Sequence, residues 1–215
     1  MFTTTQVGSW PRSRKMLQTL REYQAGRTPR SEFDQVADEE VVRTVRLQEK
    51  AGLDIIVDGE HRRDSFYSFV TDKVEGTKLM SLADLLDYVE NKAEFEEMLQ
   101  TLDVPASSIK NPTCVDRLSR RETLAVNDLR FVRKISKKPV KITLPGPYLL
   151  TRSMWVSHFT SKVYENHKKM AVDVVKFLRE ELADLQEEGC DFVQFDEPVL
   201  TEITMSEETK RRTFM

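Results

Sequence analysis

Two acidic motifs in this 215-residue sequence could do chemistry: Asp58-Gly59-Glu60 and Asp196-Glu197-Pro198. Each follows a short, largely apolar run, Leu53 to Val57 in the first case and Phe192 to Phe195 in the second. A carboxylate at the end of a strand can hold an ammonium group, provided that water or hydrogen bonds keep it ionised. Arg62 and Arg63 stand beside the first motif and could hold an anion. A third motif, Gly8-Ser9-Trp10-Pro11, closes the β-branched run Phe2 to Val7. Gly8 permits a tight turn there, and Ser9 offers a hydroxyl and a backbone N–H to an anion. Each motif also has a plain structural reading: a salt-bridged rim at 60–64, an ordinary strand-to-loop turn at Gly8, and solvated loop acids at 196–197.

The elements that must position these groups follow from periodicity. Phe2 to Val7, Leu53 to Val57, Pro139 to Leu144 and the apolar run Phe192 to Phe195 predict four strands, the last one buried, with a short fifth near 105–109. Pro198 stops the last strand, and Pro145-Gly146-Pro147 breaks the one before it. A short helix and loop are expected over 12–31, and a helix over 32–51 with Ser31 as its N-cap and Gly52 as its stop. An inserted amphipathic helix is expected over 80–102, a weaker helix over 116–135, and the longest helix over 160–188. His167 falls near the apolar face of that last helix and reads as structural. Ser206 would cap a final helix running to Met215.

Alternating strands and helices imply a parallel sheet with helical crossovers. In a parallel α/β barrel, chemistry sits at the C-terminal strand ends, where all three motifs fall. The expected fold class is α/β of the (β/α)8 TIM-barrel type. A whole barrel takes roughly 250 residues, so only about its first half to two-thirds is expected here.

Composition narrows the function classes. Charged residues make up 32%, the formal net charge is -3 and the sequence pI is near 5.8, which does not suit a dedicated nucleic-acid binder. No apolar run is long enough to span a membrane, and the first residues lack the pattern of a secretory signal. Two cysteines, Cys114 and Cys190, make no disulfide framework, so a cytoplasmic location is expected. His61, His158 and His167 show no metal-ligand spacing with each other or with the cysteines.

Taken in order, Val7-Gly8-Ser9-Trp10-Pro11, Asp58-Gly59-Glu60 and Phe195-Asp196-Glu197-Pro198-Val199-Leu200-Thr201-Glu202 resemble cobalamin-independent methionine synthase, in its C-terminal catalytic barrel and its shorter single-barrel relatives. The resemblance implies one partial methionine-synthase-like barrel over residues 1–215, carrying the inserted segment 80–102. It implies a methyltransferase that moves a methyl group from 5-methyltetrahydrofolate or another carrier to the thiol of homocysteine. Val7, Gly8 and Ser9 would then bind the homocysteine carboxylate, Glu60 and Asp196 its ammonium, and Glu202 would face the folate.

The family also uses zinc, held by His, Cys, Glu and Cys after the Asp-Glu-Pro motif. The sequence given ends before those positions are expected, and Cys114 and Cys190 do not match them. The chain is therefore expected to be inactive by itself. A homodimer, or association with a chain supplying the rest of the barrel, is the implied partner arrangement. No tryptophan stands at Pro145-Gly146-Pro147, near where the family stacks its folate, so the methyl carrier stays open. An alkyl transferase acting on a different thiol and a non-catalytic ligand-binding barrel fragment are the alternatives.

Overall fold

The computed structural model describes residues 2–89, 92–100 and 110–200. The chain is mixed α/β and divides into two compact units. The first contains residues 1–66, 123–144 and 181–194; the second contains 67–122, 145–180 and 195–215.

In the first unit, α1 (Arg14–Gln24) starts at Ser13, whose hydroxyl accepts the Met16 N–H. Its buried Met16 and Leu20 pack against Phe33, Val36 and Ala37 of α2 (Arg30–Ala51). Gly52 ends α2 in the left-handed conformation, as its sequence position predicts. Ser31 is not the cap: Pro29 holds the N-cap position, and Ser31 already lies inside the helix. Proline suits this boundary because its fixed φ is compatible with a helix start.

The first two expected strands do not form ladders among the described residues. Thr4 sends its N–H to the Asp54 carboxylate at 2.8 Å, while its carbonyl accepts from Asp54 and Ile55. Farther along, Gln48 at 0% exposure uses its side-chain amide as a substitute strand. Its Oε1 accepts the Val57 N–H at 3.0 Å, and its Nε2 donates to the Val57 carbonyl at 2.8 Å. Only Ile56 keeps a strand contact, a parallel bridge to Val140. Side chains thus satisfy backbone groups that would otherwise need a neighbouring strand.

Further along, α5 (Val126–Ile135) and β3 (Lys141–Pro145) follow their predicted positions, although α5 occupies only the second half of the expected helix. Every residue of β3 is buried. Leu124, Ala125, Leu129, Val140, Ile142 and Leu185 are all fully buried. Glu181, also at 0% exposure, accepts the N–H groups of Leu124 and Ala125 at 2.7 Å each. An acid on the apolar face of a helix thus satisfies donors at the start of α5.

The second unit departs most from expectation. It holds an antiparallel pair that the residue pattern does not predict, β1 (Val74–Ser81) and β2 (Lys110–Arg120), and β2 takes the first residues of the helix expected over 116–135. A bulge between Glu75 and Thr77 centres on Gly76, whose φ is 79°. Any side chain there would meet the Asp116 and Arg117 carbonyls. The expected 80–102 helix is replaced by α3 (Leu82–Leu85), capped reciprocally by Ser81 and Asp84, and by α4 (Lys92–Gln100). The fifth strand at 105–109 falls outside the described residues.

After β3, Gly146 and Pro147 open α6 (Pro147–Met154), and α7 (Ser157–Thr160) follows. The last long helix, α8 (His167–Glu187), has 21 residues, so α2 with 22 is the longest. His167 begins α8 exposed and stacks on Trp155 at 4.0 Å, rather than packing in the apolar face. β4 (Phe192–Asp196) is hydrogen-bonded beside β3. It is not the buried strand expected, since Phe192 and Phe195 are 51% and 38% exposed. The expected helix starting at Ser206 lies outside the described residues.

Candidate functional site

The Gly8-Ser9-Trp10-Pro11 and Asp58-Gly59-Glu60 motifs converge in the first unit. Gly8 is buried directly against the side chain of Glu60. A Cβ at Gly8 would lie 2.6 Å from Glu60 Oε1 and 2.8 Å from Thr143 Cγ2, closer than real side chains pack. Glycine is therefore required by close approach, not by a turn conformation. Glu60 is 3% exposed, and Thr143 donates its hydroxyl to Glu60 Oε1 at 2.7 Å.

Glu60 also has φ 58°, the one positive-φ non-glycine described, and it follows Gly59 at φ 78°. Two successive left-handed residues swing the Glu60 side chain inward at a local cost that surrounding bonds must offset. Arg12 supplies such bonds, donating to the Glu60 carbonyl at 3.2 Å and to the Arg63 carbonyl at 2.6 Å. Trp10 adds its N–H to the Gly59 carbonyl at 3.1 Å. Trp10 of the Gly8–Pro11 motif and Arg12 just after it thus brace the Asp58–Glu60 turn. Burial pushes the Arg12 guanidinium below its ordinary pKa, and the neighbouring charges of Glu60 and Asp64 pull it back up.

The flanking titratable groups hold the turn from either side. Asp58 is 1% exposed and accepts the Glu60 backbone N–H. Burial pushes its carboxyl up to about 6, against the opposing pull of Arg63, while Asp128 and Glu60 push the same way. His61 is fully buried, and its Nε2 lies 2.8 Å from the Thr44 hydroxyl. Burial pushes the imidazole down to about 4. Arg62 and Arg63 do not present an anion site. Arg62 donates to Asp38 at 2.7 Å and lies 4.0 Å over the Phe131 ring, and Arg63 lies 3.9 Å from Asp128. The salt-bridged rim is what forms there.

The Val7–Ser9 turn is open to solvent on both sides of Gly8: Val7 is 75% exposed and Ser9 is exposed. Its preceding carbonyls are anchored by Lys141 and Gln194, neither of which stands out in the sequence. Thr143, Arg12, Lys141 and Gln194 escape sequence reasoning because none belongs to an acidic or glycine motif. The available signal is alternation: Lys141 and Thr143 lie two apart on β3, so their side chains share one face.

The Asp196-Glu197-Pro198 motif lies in the second unit. Asp196 ends β4 half-exposed, and its carbonyl accepts the Gly146 N–H at 2.8 Å. Glu197 turns to α6, where its two oxygens accept the N–H groups of Tyr148 and Leu149 at 2.7 and 2.8 Å. A Cβ on Gly146 would overlap that carboxylate. Glu197 is therefore a helix cap rather than a second site acid. Glu202 lies outside the described residues.

Among the described residues, no three His, Cys, Asp or Glu side chains form a group that could hold a metal ion. Cys114 is buried with its thiol pushed up to about 12, and its Sγ donates to the Asp116 carbonyl. Cys190 donates to the Phe192 carbonyl, and burial raises its thiol as well. The described side chains do not fit the zinc that the resemblance implies. No described helix is long and apolar enough to cross a membrane.

The chain is a mixed α/β protein in which a buried carboxylate is seated against a glycine turn. The profile of the catalytic domain of cobalamin-independent synthase matches residues 1–215, and the chain belongs to that family. It is 25% identical over 201 residues to a methionine synthase of Saccharolobus solfataricus, covering 93% of this chain and 54% of that protein. It is 26% identical over 202 residues to a 5-methyltetrahydropteroyltriglutamate–homocysteine methyltransferase of a Thermotoga species, covering 94% of this chain and 25% of that one. Among solved structures, a B12-independent methionine synthase from a Shewanella species in complex with selenomethionine matches with TM-score 0.60 and 26% identity, over 83% of this chain and 47% of that one. The chain thus spans about half the length of the first relative, or a quarter in the case of the long enzyme.

Proposed function

We propose that this chain supplies the amino-acid-binding part of a B12-independent methyltransferase that moves a methyl group to the thiol of homocysteine. The observation that carries the reading is the convergence of Gly8, Glu60 and Thr143, two separate family motifs built into one buried contact. In this reading Glu60 accepts hydrogen bonds from the substrate ammonium, while Thr143 fixes the carboxylate plane. The N–H groups of Val7, Gly8 and Ser9 receive the substrate carboxylate. Asp196 is the second acid for the ammonium, and Glu202 the residue toward the methyl carrier, a methyl-folate or another donor.

The framework is a partial (β/α)8 barrel. The parallel Ile56–Val140 bridge and the β3–β4 pair, each strand followed or preceded by helices, support it. The exposed Phe192 and Phe195 of β4 support a partner that covers this strand, either a second copy or a chain carrying further barrel strands.

Calorimetric titration with L-homocysteine tests the reading. The unsubstituted protein should bind, and Glu60→Gln should weaken binding about tenfold or more, the loss expected for one charged hydrogen bond. Equal affinity in the two proteins would remove Glu60 from the substrate's ammonium.

A further inference from the structure

The Val7–Ser9 turn is held by two side chains that lie outside the three motifs. Lys141, at 1% exposure on β3, donates its ammonium to the Gln6 carbonyl and, at 3.1 Å, to the Val7 carbonyl. Gln194 on β4 closes the arrangement. Its Oε1 accepts from the same ammonium at 2.6 Å, and its Nε2 donates to the Val7 carbonyl at 3.0 Å. A buried ammonium is costly unless its donors are matched, and here three acceptors match it.

The geometry of the peptide unit gives this clamp a consequence. In a planar trans peptide, a carbonyl and the following N–H point in opposite directions, and no cis bond is found here. Anchoring the Gln6 carbonyl therefore aims the Val7 N–H away from Lys141. Anchoring the Val7 carbonyl aims the Gly8 N–H away in the same manner. Two N–H groups are presented together, with a fixed positive charge behind them, which is the arrangement that favours an anion. On the same face of β3, Thr143 fixes Glu60. One strand face thereby orients an anion-binding turn and a cation-binding carboxylate.

We propose that Lys141 and Gln194 are positioning residues for the carboxylate end of the amino-acid ligand. They act through the backbone of residues 6–8 and do not touch the ligand. This rests on the amino-acid reading above, and the test separates the two.

Three thiol ligands serve as probes: L-homocysteine, 3-mercaptopropylamine, which lacks the carboxylate, and 4-mercaptobutyrate, which lacks the amine. Affinities are measured by competition NMR at millimolar ligand for the unsubstituted protein, Lys141→Met, Gln194→Met and Glu60→Gln. Thermal melts by circular dichroism report folding. The two positioning variants should weaken homocysteine and 4-mercaptobutyrate about tenfold or more, while 3-mercaptopropylamine changes less than about twofold. Glu60→Gln should show the reverse selectivity. Should Lys141→Met fail to fold, the Gln194→Met variant, changed at a half-exposed position, decides the matter. Equal loss for all three thiols, or no loss for the carboxylate-bearing pair, overturns the positioning role and leaves the amino-acid site standing. No homocysteine binding by the unsubstituted protein overturns the amino-acid reading and this inference together.

Discussion

Asp58-Gly59-Glu60 and Asp196-Glu197-Pro198 look alike in sequence, a short apolar run followed by two acids, yet the structure uses them differently. In the first, the leading acid is buried inside the turn and the trailing acid, Glu60, is driven inward onto Gly8. In the second, the leading acid ends β4 half-exposed and the trailing acid caps α6. Each trailing acid also rests on a glycine that has no room for a side chain: Gly8 under Glu60, Gly146 under Glu197. The difference lies in what the carboxylate meets. Glu197 meets helix N–H groups and is consumed by them. Glu60 meets the Thr143 hydroxyl and the backbone at Gly8, which leaves it acceptor capacity for the ligand proposed above. A pair of acids after a strand therefore does not by itself identify a site acid.

The sharpest way to break this contrast is at the two glycines. Gly8→Ala should destabilise the fold by about 1–3 kcal/mol and abolish homocysteine binding, since Glu60 must move. Gly146→Ala should destabilise by a similar amount, about 1–3 kcal/mol, through displaced Glu197, with homocysteine affinity in the remaining folded protein nearly unchanged. Urea unfolding and calorimetry on the same preparations separate the two effects. Matching loss of binding in both variants would erase the distinction between site acid and cap.

Next in size is Glu197→Ala, which leaves the Tyr148 and Leu149 N–H groups without their carboxylate. A loss of about 1–2 kcal/mol in urea unfolding is expected. A loss in binding without any loss in stability would instead make Glu197 a site acid.

The turn around Glu60 also makes a pH prediction in which two neighbours oppose each other. Asp58 is raised from 3.8 to about 6, so between these values the folded state holds the extra proton and stability falls as pH rises. His61 is lowered from 6.5 to about 4, so there the unfolded state holds the extra proton and stability rises with pH. Across their shared window the two contributions cancel in part. Asp58→Asn should expose a rising slope and His61→Gln a falling one, each at most about 1.4 kcal/mol per pH unit. Denaturant midpoints from pH 4 to 6.5 measure this, and slopes of the same sign would refute the assignment.

The smallest effect expected is at Ser31. Because Pro29 holds the N-cap position, Ser31→Ala should change stability by less than about 0.5 kcal/mol. A larger loss would restore Ser31 as the cap.

Much of the frame was legible in the residue pattern, where the signal is local. α2 announces itself by apolar spacing and by the stop at Gly52, and β3 by its apolar run broken at Pro145-Gly146-Pro147. Gly8 and Glu60 stand out because glycine and paired acids are rare enough in such positions to be read as motifs. The β1–β2 pair was not legible. Leu118 and the residues around it fit a helical period as well as a strand, and the register of Val74 against Arg120 depends on a partner far along the chain.

Residue identity dictates the chemical types available: a carboxylate at Glu60, a side-chain-free backbone at Gly8, and acids at Asp196 and Glu197. Those follow from residue identity and from short-range turn and strand preferences. Tertiary structure alone decided which acid is spent. It set Thr143 on Glu60, Lys141 and Gln194 on the carbonyls of Gln6 and Val7, and the α6 amides on Glu197. Each of these joins residues remote in sequence, and hydrogen bonds depend on distance and angle in space, which no local pattern encodes.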